Sequence, residues 1–364
     1  MPRTGSTSFQ AVLTSLRPRL GATGILYPAL APPGGPEGQD VNHQPLGEAL
    51  DGRRPAAERT ESLARLGRIL AETEADTVIL SYEDFAVQKP GFAIPQVFHD
   101  LFRSRGFALE VAMVVKPPFE QLNSAYAHRA QLVLETRSFR DFARRHWRSG
   151  RLDYAGLIEP WRRAADGRVT AIPLRDARSE APLLQRIVRD LGLEDRLGPL
   201  MSEETRRLVT NRSSGPLAVE AARRLRRLRV HRQFRGHSRH IGHVLDDAAW
   251  RRGLDPEPFR GDAPEMSARI EARCAASNDR FARALWGAPW ASVVRDAPRR
   301  PPNELATRTI PPETEAQIAV LVAETTRHFG FREPPAWQRI PADLADAAAE
   351  RLAHAVGYTR WRVP

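Results

Sequence analysis

The sequence predicts a mainly single-domain α/β protein: a parallel β-sheet flanked by helices over residues 1–235, then a mainly helical extension over 236–364. Three observations carry that expectation. Short runs of β-formers at 76–81, 107–115 and 168–174 alternate with stretches whose apolar residues recur every three or four positions. A turn of small and hydroxylated residues, Gly5-Ser6-Thr7-Ser8, opens the first helical stretch. Beyond about residue 236 only helical periodicity is left.

Composition narrows the class. The chain is 41% hydrophobic and 27% charged, as expected of a globular protein with a sizeable core. No apolar run approaches the ~20 residues of a membrane span, and the first residues do not spell a signal peptide. Cys274 is the only cysteine, which excludes internal disulfides and a cysteine-based zinc site and points to a reducing, cytoplasmic setting. The net charge of +11 suggests acidic partners. Only Lys89 and Lys116 are lysines, however, so the basicity is almost wholly arginine. An arginine-, alanine- and proline-rich composition is what a GC-rich genome produces, and the charge is weak evidence for nucleic acid.

Phe9, Val12, Leu13, Leu16 and Leu20 mark one face of the first helix. The turn ahead of it runs Pro2-Arg3-Thr4-Gly5-Ser6-Thr7-Ser8. A helix that starts this way offers unpaired N–H groups and the positive end of its dipole, which suits phosphate or sulfate. Gly5 lets the backbone approach the anion, Ser6, Thr7 and Ser8 add hydroxyls, and Arg3 adds a planar fork. The spelling is not Walker A. An ordinary capped helix is the bland alternative. Such a loop normally follows a buried strand, so the expectation is a first strand missing from this sequence through a start site assigned too far downstream.

The rest follows in order. Gly24-Ile25-Leu26-Tyr27-Pro28 closes the first unit, and the Pro- and Gly-dense stretch 31–54 reads as a long loop insertion. A helix is expected over about 56–71, then a strand over Asp76–Ser81 that ends at Tyr82-Glu83-Asp84-Phe85. A helix over 94–103 precedes the strand 107–115, which ends at Lys116-Pro117-Pro118. The prolines suit a helix start, and Ser124 lies about two turns into that helix. At that spacing Lys116 and Ser124 can converge on one phosphate. Short helices begin at Ser138 and Leu152, a strand runs 168–174 and a helix 183–193. Ser214 and Pro216 suit the N-cap and first position of a long helix.

Several of these phrases resemble the sulfotransferase family that uses 3′-phosphoadenosine 5′-phosphosulfate (PAPS). Its 5′-phosphosulfate loop commonly reads Pro-Lys-Thr-Gly-Thr-Thr-Ser, against Pro2–Ser8 here. The phrase at Gly24–Pro28, the strand ending Ser81-Tyr82-Glu83 and the cation-to-serine spacing of Lys116 and Ser124 are similar to family phrases. The resemblance extends to about residue 193 and implies a P-loop-like sulfotransferase fold. It also implies transfer of a sulfuryl group from PAPS, without a metal, to a hydroxyl or amine, with bacterial and carbohydrate members as the nearest match. Arg3, Thr4, Gly5, Ser6, Thr7 and Ser8 would then cradle the 5′-phosphosulfate, and Lys116 and Ser124 would hold the 3′-phosphate. Arg3 would serve catalysis by stabilising charge, and Glu83 is the candidate general base.

Two positions depart from the family pattern. Arg3 stands where lysine is usual, and a guanidinium of pKa above ~12 stabilises an oxyanion but gives up no proton. Lys116 stands where arginine is usual, a point charge in place of a fork. The rival readings are a non-catalytic glycan- or nucleotide-binding relative and an arginine-rich nucleic-acid binder. His237, His240 and His243 do not match helical spacing well enough to argue for a metal. Leu225 and Leu228 interrupt the basic run Arg223–Arg229 at core spacing, which favours a solvated helix face over a nucleic-acid site. Trp286 and Trp290 suit a core more than a sugar platform.

Overall fold

The computed structural model describes the chain apart from residues 1–4, 31–40, 87–90, 149, 207–212, 230–232, 234–238, 299 and 333–364. It is a mixed α/β structure, mostly helical (61%), and among the described residues the strands form two parallel pairs. In chain order the first elements are α1 (Ser6–Leu20), β1 (Ile25–Leu26), α2 (Gln44–Leu50), α3 (Ala56–Glu72), β2 (Thr77–Val78), α4 (Ile94–Arg103) and β3 (Val111–Val115). Then come α5 (Pro118–Gln131), α6 (Phe139–His146), α7 (Tyr154–Ala164), β4 (Val169–Pro173), α8 (Leu183–Asp190), α9 (Glu194–Leu197) and α10 (Glu203–Arg206). The last described elements are α11 (Pro216–Arg227), α12 (Arg239–Arg251), α13 (Pro264–Trp286), α14 (Trp290–Val293) and α15 (Pro312–Phe329). Contacts divide the chain into two interleaved units, 1–117 with 150–211 and 274–297, and 118–149 with 212–273 and 298–364.

The first unit is layered. β1 pairs in parallel with β2, and β3 with β4, in register Val111 to Val169 through Val115 to Pro173. Alternate strand residues supply two cores, as the period of two requires. On one face Ile25, Ile79, Val114 and Ile172 meet Val12, Leu13 and Leu16 of α1 and Leu184, Ile187 and Val188 of α8. On the other, Val78, Leu80, Met113, Val115 and Ala171 meet Leu66 and Leu70 of α3, Phe98 and Phe102 of α4, and Ile158 and Trp161 of α7. Helices on both faces of parallel strands are what βαβ crossovers produce.

The stretch 31–54 is not loop throughout. Residues 44–50 form α2, with Pro45 in its first turn and Leu46, Ala49 and Leu50 buried. Gly47 packs against the Tyr82 ring, where a Cβ would collide. The glycine that reads as a breaker is there for close approach.

The second unit packs α5, α11, α12 and α15 around Val133, Leu217, Ala221, Leu225, Ile241, Leu245, Ile318 and Leu321. Three buried carboxylates stitch it. Glu304 accepts from the backbone N–H groups of Phe139 (2.6 Å) and Asp262 (3.0 Å). Glu220 pairs with the buried Arg223. Glu135 accepts two bonds from the Arg137 guanidinium, at 2.7 and 2.8 Å. The start of α11 differs from expectation. Pro216 is its first residue, but the N–H groups of Leu217 and Ala218 are capped by the Asp255 carboxylate (3.0 and 2.9 Å). Ser214 instead donates to Asp246 at 3.0 Å. A carboxylate that accepts two orphan amides satisfies more of the helix end than one hydroxyl. Among the described residues no helix is long and apolar enough to cross a membrane.

Burial alone would raise the Glu135 pKa, yet the Arg137 fork and the Arg129 charge bring it down to about 2. Its stabilisation is therefore complete above the unfolded carboxylate value near 4.5 and is lost as pH falls towards 2. Glu135→Gln should lower the unfolding free energy at neutral pH by about 3 kcal/mol. Denaturant titrations at stepped pH should show the gap to wild type closing between about pH 4.5 and 2.

Candidate functional site

The first turn of α1 lies at the C-terminal ends of the strands in the first unit. Gly5 is its N-cap, in the left-handed region at φ 90°, and no side chain caps the helix. The same glycine faces α8 and the end of β4: a Cβ on it would stand 2.5 Å from Leu183 Cδ2 and 3.9 Å from Leu174 Cδ1. Leu174 in turn donates its N–H to the Val115 carbonyl at 2.7 Å, one residue before Lys116. On the other side, Ser6 Oγ donates to Glu83 Oε1 at 3.1 Å and Gln10 Nε2 donates to Ser81 Oγ at 3.0 Å. The uncapped turn is thus held between the strand ends carrying Ser81-Glu83 and Val115-Leu174. Ligands of open α/β sheets bind outside the carboxyl ends of the strands.

Glu83 is held on the α1 side by what its neighbours do. Arg53 donates to the Tyr82 hydroxyl (3.0 Å), to Asp84 (3.1 Å) and to Asp51 (2.9 Å). Tyr82 Oη also donates to Asp84 at 3.2 Å. Burial pushes the Tyr82 phenol far above its ordinary range, so it stays a donor at any working pH. Arg151 lies in the field of Asp84 and Arg53, and burial depresses its pKa. Residues 82 and 84 are therefore tied to a structural arginine, whereas Glu83 meets Ser6. Burial also raises the Tyr27 pKa, with Arg17 opposing and the nearby Glu83 charge adding to the rise.

His43 fixes the strand end itself. Its Nδ1 accepts from the Ser81 N–H at 2.9 Å, so the ring proton belongs on Nε2, which donates to the Pro28 carbonyl at 3.1 Å. Its own N–H donates to the Ser81 carbonyl at 3.0 Å. The ring sits edge-on to Tyr27 with centroids 4.9 Å apart. His43, Gln10 and Arg53 reach Ser81 and Tyr82 from 38, 71 and 29 residues away, so no local pattern signals those contacts.

Of the sequence-predicted residues, Gly5, Ser6, Thr7, Ser8 and Glu83 meet at this turn, all half-buried. Arg3 and Thr4 lie outside the described residues. Lys116 ends β3 and is only 3% exposed, its carbonyl accepting from Tyr154 Oη at 2.8 Å. A buried ammonium has to be compensated by an anion or by lone pairs. Ser124 is half-buried on α5 and belongs to the second unit.

No protein-family model, no curated protein and no solved structure matches the chain.

Three features stay outside the site. Trp286 donates to the Ala171 carbonyl (2.7 Å), and Trp290 stacks on Tyr154 at 5.7 Å, so both pack on the α/β core. Among the described residues no group of His, Cys, Asp or Glu is placed to hold a metal, and His237 lies outside them. Within the basic run, Arg223 and Arg227 pair with Glu220, Arg224 with Glu315, and Leu225 is buried. Three of its charges are thus paired with carboxylates.

His43→Ala should remove the acceptor of the Ser81 N–H and leave a cavity beside Tyr27. Equilibrium unfolding should show a loss of about 2–4 kcal/mol. His43→Gln, which can keep an acceptor near Ser81, should recover part of it.

Proposed function

We propose that this protein is a sulfotransferase, with a P-loop-like sulfotransferase fold, that moves a sulfuryl group from PAPS to a hydroxyl of a carbohydrate or cell-envelope glycan. The observation that carries this reading is the uncapped first turn of α1, held by Glu83 and Leu183 at the ends of parallel strands. An anion there meets backbone N–H groups, the helix dipole and the hydroxyls of Ser6, Thr7 and Ser8. The acceptor class rests on the resemblance to bacterial and carbohydrate members alone.

The turn would take the 5′-phosphosulfate, and the resemblance assigns the 3′-phosphate to Lys116 and Ser124. In the transfer, a bond forms between the acceptor oxygen and sulfur while the bond from sulfur to the 5′-phosphate oxygen breaks. The leaving phosphate keeps that electron pair, and Arg3 with the helix N-terminus would neutralise the charge it gains. The acceptor proton goes to Glu83, whose carboxylate is oriented by the Ser6 hydroxyl. Charge stabilisation and alignment supply the catalysis, and no metal step is needed.

Calorimetric titration tests the donor assignment. 3′-Phosphoadenosine 5′-phosphate should bind at least about tenfold more tightly than adenosine monophosphate, and Lys116→Ala should erase most of that preference. Glu83→Gln should keep the nucleotide affinity and lower sulfate transfer to a glycan panel by about 10²–10⁴-fold. Equal affinity for the two nucleotides would overturn the reading, and so would steep salt-dependent binding of nucleic acid in their place.

A further inference from the structure

Elsewhere in the second unit arginines meet carboxylates: Arg137 with Glu135, Arg223 with Glu220, Arg224 with Glu315 and Arg252 with Glu324. One strip departs from that. Phe139 lies against Gly261, just ahead of α13, and Arg140 pairs with Glu265 at 3.1 Å. Trp147, just past the end of α6, meets the Arg273 guanidinium. These contacts advance together along both helices, so this stretch of α13 runs beside α6 in the same direction. Arg144 stands one turn beyond Arg140, and Arg269 one turn beyond Glu265. Both therefore come up on the same seam, between its two fixed ends.

The seam is cationic. Arg144, Arg148, Arg269 and Arg273 are all exposed. The Arg148 and Arg273 guanidiniums lie over the Trp147 ring, 4.7 and 5.7 Å from its centroid. Among the described residues only Arg144 of the four meets a carboxylate, Asp141, at 3.8 Å. The cation–π contacts hold two guanidiniums in place but neutralise neither charge. Like charges gathered this closely repel in the folded chain, and an anion supplied from outside removes that cost.

The form of the strip points to the anion. All four charges are guanidiniums, whose planar forks match phosphate oxygens in pairs. Arg269 and Arg273 stand one helical turn apart on α13, with Arg144 and Arg148 across the seam. A ligand with regularly repeated monoanions meets all four, and a single small anion does not. Trp147 already carries two guanidiniums, which leaves no platform for an unpaired base and makes the contact one of charge. A nucleic-acid duplex has closed bases and presents about one phosphate charge per 1.7 Å of its axis. We propose that the seam between α6 and α13, through Arg144, Arg148, Arg269 and Arg273, binds the phosphate backbone of duplex nucleic acid without regard to sequence. The proposal does not rest on the sulfuryl-transfer reading.

Fluorescence anisotropy of the full chain with a labelled DNA duplex of about 20 base pairs tests this, with salt varied between about 50 and 200 mM. With four phosphates neutralised, the logarithm of the affinity should fall with the logarithm of salt at a slope of about −3 to −4. Scrambling the duplex sequence should leave the affinity unchanged. Arg148→Gln with Arg273→Gln should make the slope shallower by about two and weaken binding at the lower salt at least about tenfold. Arg148→Lys with Arg273→Lys should keep the slope, which a misfolded strip would not. Arg103→Gln with Arg105→Gln removes the same charge from exposed arginines of the first unit and should leave the slope as it was. The proposal falls if the two glutamine double variants lose affinity equally, or if the slope of the unaltered chain is shallower than about −1. It falls too if the four arginines hold a sulfated polysaccharide while the chain binds no duplex.

Discussion

The first unit is organised around one constraint: the N-terminal turn of α1 is clamped from two sides. On one side, hydroxyl and amide side chains of the helix bond to Glu83 and Ser81. On the other, a glycine without a side chain lets α8 and the end of β4 come against the backbone. Neither side could be built by local sequence alone, since one joins residue 6 to residue 83 and the other joins residue 5 to residue 183. The clamp holds a turn whose amide donors have no side-chain cap at the ends of the strands.

The supporting shell follows a common logic. Two ionisable groups near the clamp, Arg53 and His43, are occupied structurally. Arg53 is held by Asp51, Asp84 and Tyr82, and the His43 ring is held as a neutral tautomer by Ser81 and Pro28. Glu83 differs, because it accepts from the Ser6 hydroxyl in the turn.

Much of this was legible where the physics is local. Leu63, Leu66 and Leu70 mark α3, the prolines after Lys116 mark the start of α5, and Ser138 caps α6 where that helix is expected to begin, whereas α7 starts at Tyr154, two residues after the expected Leu152. Legibility fails where a partner is distant. Pro45 and Gly47 look like loop residues until Tyr82 is seen against Gly47, and α11 takes its cap from Asp255 rather than from the adjacent Ser214. The interleaving of the two units leaves no trace in periodicity. The strands were visible as apolar runs, but their grouping into two pairs depends on pairing that no single run encodes.

Gly5 and Leu183 share one small volume, because the leucine methyl occupies the space a side chain at position 5 would need. The left-handed backbone already disfavours any residue but glycine there. A lineage that enlarged position 5 would therefore have to shrink position 183 and re-fold the turn in the same step. Two sites so far apart in sequence are thus expected to drift as a unit, and the opening of α8 is as much a part of this turn's heredity as the turn itself.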